Sequence, residues 1–103
     1  VKAPGCDSNR ARKDGSTPAH VAAQEGHTAA LELLAKAGCD VHQTTSDGRT
    51  PAYLAAQMGR TAVLALLVRA GCDVNQADEN GRTPAFVAAQ QGHTATLDIL
   101  VKA

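Results

Sequence analysis

The sequence predicts an all-α array of stacked helix pairs, and three observations carry that prediction. Cys6, Cys39 and Cys72 recur at a fixed step of 33 residues. The same step connects Thr17-Pro18-Ala19, Thr50-Pro51-Ala52 and Thr83-Pro84-Ala85. Each interval then runs through a turn, a helix start, a short link and a second apolar stripe in the same order. A unit of this length cannot bury its apolar face alone, so the core must come from stacking neighbours. Cut at the glycine before each cysteine, the units span 5–37, 38–70 and 71–103, and we read 1–103 as a single array.

The third unit shows each element in turn. Asn80-Gly81 is a turn dipeptide, because both residues tolerate the positive φ of a tight turn. Thr83 suits an N-cap, and Pro84 the first helical position, where its missing N–H costs nothing. A helix through Phe86, Val87, Ala88 and Ala89 should stop near Gly92. Leu97, Leu100 and Val101 then form an i, i+3, i+4 stripe on a second helix over 94–102. Gly71 ends the equivalent helix one unit earlier. Glu32 with Lys36 and Asp98 with Lys102 are expected i to i+4 ion pairs worth roughly 0.2–0.5 kcal/mol each. Ala65 leaves Arg69 without that partner.

Composition narrows the function. The apolar content is mostly Ala, Leu and Val, with one Phe, one Tyr and no Trp, so many small contacts replace a large aromatic core. Ten basic residues balance ten acidic ones, which removes the broad positive field of nucleic-acid or anionic-membrane binders. No apolar run is long enough for a membrane span, and Val1-Lys2-Ala3-Pro4 does not read as a signal peptide. Three cysteines, an odd number, point to a reducing compartment, cytoplasmic or nuclear.

A unit with Gly-x-Thr-Pro, then Ala-Ala, Gly-His, a Leu-rich second helix and Gly-x-Asp-Val-Asn resembles the ankyrin repeat. The third unit shows it best, as GRTPAFVAAQQGHTATLDILVKA preceded by GCDVNQADEN, and the resemblance covers 5–103. It implies an ankyrin-repeat solenoid of stacked antiparallel helix pairs with projecting β-hairpin-like loops, adjacent repeats lying about 10 Å apart. The chain departs from the family pattern at several positions. Ala19, Ala52 and Ala85 stand where Leu is usual, and Thr28, Thr61 and Thr94 replace another Leu. The family's inter-repeat histidine is His20, Tyr53 and Phe86 in turn. His20 keeps the bond, Tyr53 has a hydroxyl with which to imitate it, and Phe86 has nothing to donate. These changes trim the core, so modest stability is expected. Arrays of this kind usually finish in polar outer faces. Here Leu97, Leu100 and Val101 lack a following repeat, and Val21 lacks a preceding helix pair. The chain therefore reads as a fragment of a longer array or a synthetic array without caps.

Catalytic and metal readings find no complete set of residues. Cysteines in equivalent positions of successive repeats are expected about 10 Å apart, beyond the roughly 7 Å Cα limit for a disulfide. Structural zinc needs four converging ligands, and no CxxC or HxxxH is present. Cys therefore stands in for a small apolar residue beside the loop. His27 and His93 occupy the Gly-His link, His20 the Thr-Pro-x-His position, and His42 stands where the other units have Asn9 and Asn75. Nothing in the sequence forces a Cys–His pair, and no phosphate loop appears. We expect no enzyme activity, no cofactor and no metal.

What the resemblance implies instead is protein binding along a concave groove. Carried over position by position, its hairpin tips are Ala11, Lys13, Asp14 and Ser16, then Thr44, Ser46, Asp47 and Arg49, then Ala77, Glu79, Asn80 and Arg82. Its first-helix surface is Gln24 and Glu25, Gln57 and Met58, Gln90 and Gln91. These positions vary most between units, as surface positions free of packing do. The tips carry Arg10, Arg12 and Lys13, then neutral Thr44 and Thr45, then Asp78 and Glu79, which predicts a groove with a basic end and an acidic end. Two alternatives stand beside this reading. One is head-to-tail self-association of a structural or synthetic array. The other is modification, because Leu67, Asp73, Val74 and Asn75 resemble a site at which ankyrin asparagines are hydroxylated.

Overall fold

The computed structural model describes residues 15–103. Their order is α1 (Pro18–Glu25), α2 (Thr28–Lys36), α3 (Pro51–Met58), α4 (Thr61–Arg69), α5 (Pro84–Gln90) and α6 (Thr94–Lys102). No strand occurs among the described residues. The helices form two layers: α1, α3 and α5 pack in sequence, and α2, α4 and α6 pack behind them, each bracing its own partner.

Local chemistry starts each first helix. Thr17, Thr50 and Thr83 are extended N-caps whose side chains accept the backbone N–H of His20, Tyr53 and Phe86, and a proline follows each cap. In the first unit the cap is reciprocal, because the Thr17 N–H donates to His20 Nδ1 at 3.1 Å. Tyr53 and Phe86 carry no ring acceptor, so α3 and α5 have only half of that capping box. Gly26 and Gly59 end α1 and α3 in the left-handed conformation.

Alanines let the first helices approach closely. Ala23, Ala55, Ala56 and Ala88 are completely buried, with Leu31, Leu64, Leu67 and Leu100 filling the space behind them. Fully burying a leucine is worth about 1.5–3 kcal/mol. In α6 the buried face differs from the expected stripe. Thr96 and Leu100 are buried and Leu97 is half-buried, whereas Val101 is 73% exposed. The reason is that α6 packs mainly against α4 and α5, and Thr96 faces α4, where its hydroxyl lies 3.1 Å from that of Thr61. Of the two expected ion pairs on the helices, Asp98 with Lys102 closes at 3.1 Å. Glu32 and Lys36 do not close among the described residues; both are exposed, where holding two long side chains together costs as much entropy as the attraction returns.

Side chains tie one unit to the next. Arg60 Nε donates to the Gln24 carbonyl at 3.0 Å, and His93 Nε2 donates to the Gln57 carbonyl at 3.0 Å. A Cβ on Gly59 would stand 2.8 Å from His93 Nδ1, so this glycine serves both its φ of 70° and the ring lying across it. Nearer the loops, His20 Nε2 donates to the Arg49 carbonyl at 2.9 Å.

Candidate functional site

The loops that project from the helix layers are closed at their tips by backbone bonds. Thr45 N–H donates to Arg49 O at 2.9 Å and Asp78 N–H to Arg82 O at 2.8 Å. Side chains lock the same turns. Thr45 Oγ1 accepts the Arg49 N–H at 3.1 Å and donates to Asp47 Oδ1. One unit on, Asp78 Oδ1 accepts the N–H groups of Asn80 and Arg82 at 2.9 and 3.0 Å. Successive tips are linked as well, since Glu79 N–H donates to Asp47 O at 3.0 Å.

Where the second tip leans over the first helices it leaves a cleft of about 250 Å³ lined by Ser16, Gln24, Thr45, Ser46, Asp47, Arg49 and Leu54. Five of the residues expected on the binding surface, Ser16, Gln24, Ser46, Asp47 and Arg49, therefore converge there. Arg49 Nε lies 3.3 Å from Asp47 Oδ2, and its guanidinium sits 5.3 Å from the centre of the Tyr53 ring. This fixes a positive group at the cleft wall by charge and by the ring face. The cleft is smaller than the roughly 300–1,000 Å³ of small-molecule sites and mainly polar, dimensions that suit a side chain or loop of another macromolecule.

The other expected residues lie apart from it. Thr44 is half-buried before the second tip, Glu25 and Met58 are exposed at the ends of α1 and α3, and Gln57 is half-buried with its carbonyl held by His93. Gln90 and Gln91 are exposed at the end of α5, and Glu79 and Asn80 at the third tip. Lys13, Asp14 and the other first-tip positions, Arg10, Ala11 and Arg12, lie outside the described residues, as does Cys6.

The expected acidic end is corrected by Asp78, which turns inward. Tyr53 Oη donates to Asp78 Oδ2 at 2.8 Å and Arg82 Nε approaches the same oxygen at 3.4 Å. Burial by itself would raise the Asp78 carboxyl. The Arg82 N–H, the Tyr53 hydroxyl, the Asn80 N–H and the Arg82 charge outweigh it and hold the group below the ordinary carboxylate range. Burial first, and then the bond to Asp78 and its charge, push the Tyr53 hydroxyl above its ordinary value. Only Glu79 remains to make that tip acidic on its surface. Tyr53 thus takes the histidine's place between repeats with a side-chain acceptor where His20 uses a backbone carbonyl. The signal for this was the coincidence of a hydroxyl-bearing ring at 53 with a carboxylate at 78, one unit later.

Two further contacts were not foreseen. Thr45 and Leu54 complete the cleft, and Cys72 Sγ lies 3.7 Å from His42 Nε2. Burial and the neighbouring Asp40 carboxylate raise the Cys72 thiol, so it stays protonated and a poor nucleophile. No disulfide joins Cys39 to Cys72. No group of three or more His, Cys, Asp or Glu residues is placed to hold a metal ion among the described residues, and none of their helices is long and apolar enough to cross a membrane.

The family model described as ankyrin repeats (3 copies) matches residues 2–78 and again 33–103. The chain belongs to the ankyrin-repeat family. Comparison with curated proteins gives no match. Within the ankyrin framework, the loop tips and first helices form one surface of the array, and the second helices form the opposite one. Asn75 is exposed on the loop after α4, its N–H donating to Asp73 Oδ1 at 2.9 Å; the preceding Val74 is buried, as is Leu67 in α4.

Proposed function

We propose that this ankyrin array is a non-catalytic module that binds another protein across its loop tips and first helices. The observation that carries the reading is the cleft lined by Ser16, Gln24, Ser46, Asp47 and Arg49, in which variable, solvent-facing residues are presented on a hydrogen-bonded frame. A rigid polar frame limits the entropy lost on binding, since the tips are already held by Thr45, Asp47 and Asp78. The partner is a protein, because balanced charge supplies no field for nucleic acid or an anionic membrane. Its site has one cationic anchor, Arg49, and a rim of hydroxyls and amides, which fits a loop carrying an acidic or amide side chain. Glu25, Met58, Glu79, Asn80, Gln90 and Gln91 extend the exposed rim on either side. The odd number of cysteines, three in the chain, favours a cytoplasmic or nuclear location.

The test is paired substitution. Gln24→Arg with Ser46→Arg fills the cleft without touching buried groups, and Lys36→Ser with Arg69→Ser alters the opposite surface. A protein captured by the native chain should be lost with the first pair and retained with the second. Retention by the cleft-filled chain would overturn the assignment.

A further inference from the structure

Two small residues help to open the cleft at this step of the array. Ser16 and Ser46 stand where the same register one unit on has Arg49 and Glu79. Leu54 of α3 also lines the cleft, and Met58 follows Leu54 by four residues on the same helix. Residues four apart share one face of a helix, about 5–6 Å from Cβ to Cβ, and long side chains lean back toward the preceding turn. Met58 therefore lies beside the cleft mouth. It is 44% exposed although α1 and α5 both pack on α3. Its flexible thioether suits contact with an apolar side chain arriving from outside. At the cleft wall, Arg49 Nε faces Asp47 and the guanidinium lies over the Tyr53 ring. No hydrogen bond among the described residues uses its two terminal nitrogens.

Resting on the reading of the cleft as the binding site, we propose that its occupant is an extended segment of the partner protein, with a carboxylate on Arg49 and, two residues along, an apolar side chain on Met58. The carboxylate follows from the two unused terminal nitrogens, which match its oxygens in a paired, charge-assisted geometry. The apolar group follows from Met58. Glu25, exposed in the same register one unit back, disfavours a second carboxylate there. The extended form follows from the rim. A strand leaves its backbone N–H and C=O groups in need of partners, whereas a helix satisfies its own. The exposed Gln24 amide offers such a backbone both a donor and an acceptor. Alternate side chains of a strand stand about 6.6 Å apart on one face, which matches the step from Leu54 to Met58.

Phage-displayed random peptides of about nine residues, too short to hold a helix alone, selected on the full 103-residue chain, test this. The enriched peptides should carry Asp or Glu with Leu, Ile, Met or Phe two positions away. A synthetic peptide of that pattern should bind about tenfold more weakly to the Arg49→Gln and Met58→Gln chains, both of which circular dichroism should show folded. Asp47→Asn keeps the acceptor for Thr45 and removes the charge that competes for Arg49, so it should bind the same peptide about threefold more tightly. No enriched sequence, or an acid and an apolar residue three or four places apart as on a helix, would overturn the proposal. Enriched peptides that lack the pattern but are lost from the chain carrying Gln24→Arg and Ser46→Arg would overturn it and leave the cleft as the binding site. Peptides that still bind that chain would overturn both.

Discussion

The middle and last repeats share a sequence pattern but differ in what surrounds them. Leu64 and Leu66 of α4 are both buried, whereas their counterparts in α6, Leu97 and Ile99, are half-buried. Tyr53 is enclosed and hydrogen-bonded, and Phe86 faces solvent. Since the helices and caps are alike, the difference isolates what a neighbour on each side contributes. In a stacked array most stability is interfacial, so the middle repeat is the thermodynamic anchor and the last is held from one side.

The largest effect should separate buried from exposed leucines. Leu64→Ala should cost about 2–5 kcal/mol in urea unfolding, while Leu33→Ala, measured at low concentration, should stay within about 0.5 kcal/mol. Equal losses would break the comparison.

The glycine links sharpen it. Gly59 and Gly92 both have left-handed φ. Replacing Gly92 by Ala should cost about 1–2 kcal/mol from the backbone alone. Gly59→Ala also displaces the His93 ring, and losing its bond to Gln57 should add about 0.5–1.5 kcal/mol. A smaller loss at Gly59 than at Gly92 would show that the inter-repeat bond contributes nothing.

The Tyr53–Asp78 bond should appear in the pH dependence of stability. Asp78 is held below its ordinary pKa, so its contribution is complete above about pH 4 and fades as pH falls through its lower folded value. Tyr53 is raised, so its contribution is complete below about pH 10 and is lost as pH rises through its higher folded value. Tyr53→Phe should lower the thermal midpoint at neutral pH, reduce the alkaline loss to what the raised Cys72 thiol contributes, and shrink the acid one, the Arg82 and Asn80 contacts remaining. An unchanged alkaline limb in a melting series would contradict this. The smallest effect should be Asp98→Ala, which removes an exposed ion pair and should cost about 0.5 kcal/mol or less.

Helices and caps were legible because their causes are local. Thr-Pro at 17, 50 and 83 and the glycines at the helix ends act within a turn of the residues they control. The convergence of Ser16, Gln24 and Ser46 was legible only as a shared surface, carried by the resemblance to ankyrin repeats. What escaped was set by neighbours in space. The charge order misjudged Asp78 because its burial depends on Tyr53, 25 residues away. Val101, expected to lack cover, is 73% exposed, whereas Leu100, expected to lack it too, is buried, because a stripe on a helix shows where apolar residues lie and not which of them the preceding helices cover. Thr96 lies buried beside Thr61 for the same reason, in a contact that crosses from α4 to α6.

The most direct test of the central claim is site-specific photo-cross-linking in cell extract, with a photoreactive residue at Ser46 in the cleft or at Arg69 on the opposite surface. The account predicts a discrete protein adduct at Ser46, lost when Gln24 is changed to Arg, and none at Arg69. An adduct confined to Arg69 would place the working surface on the second helices and contradict it.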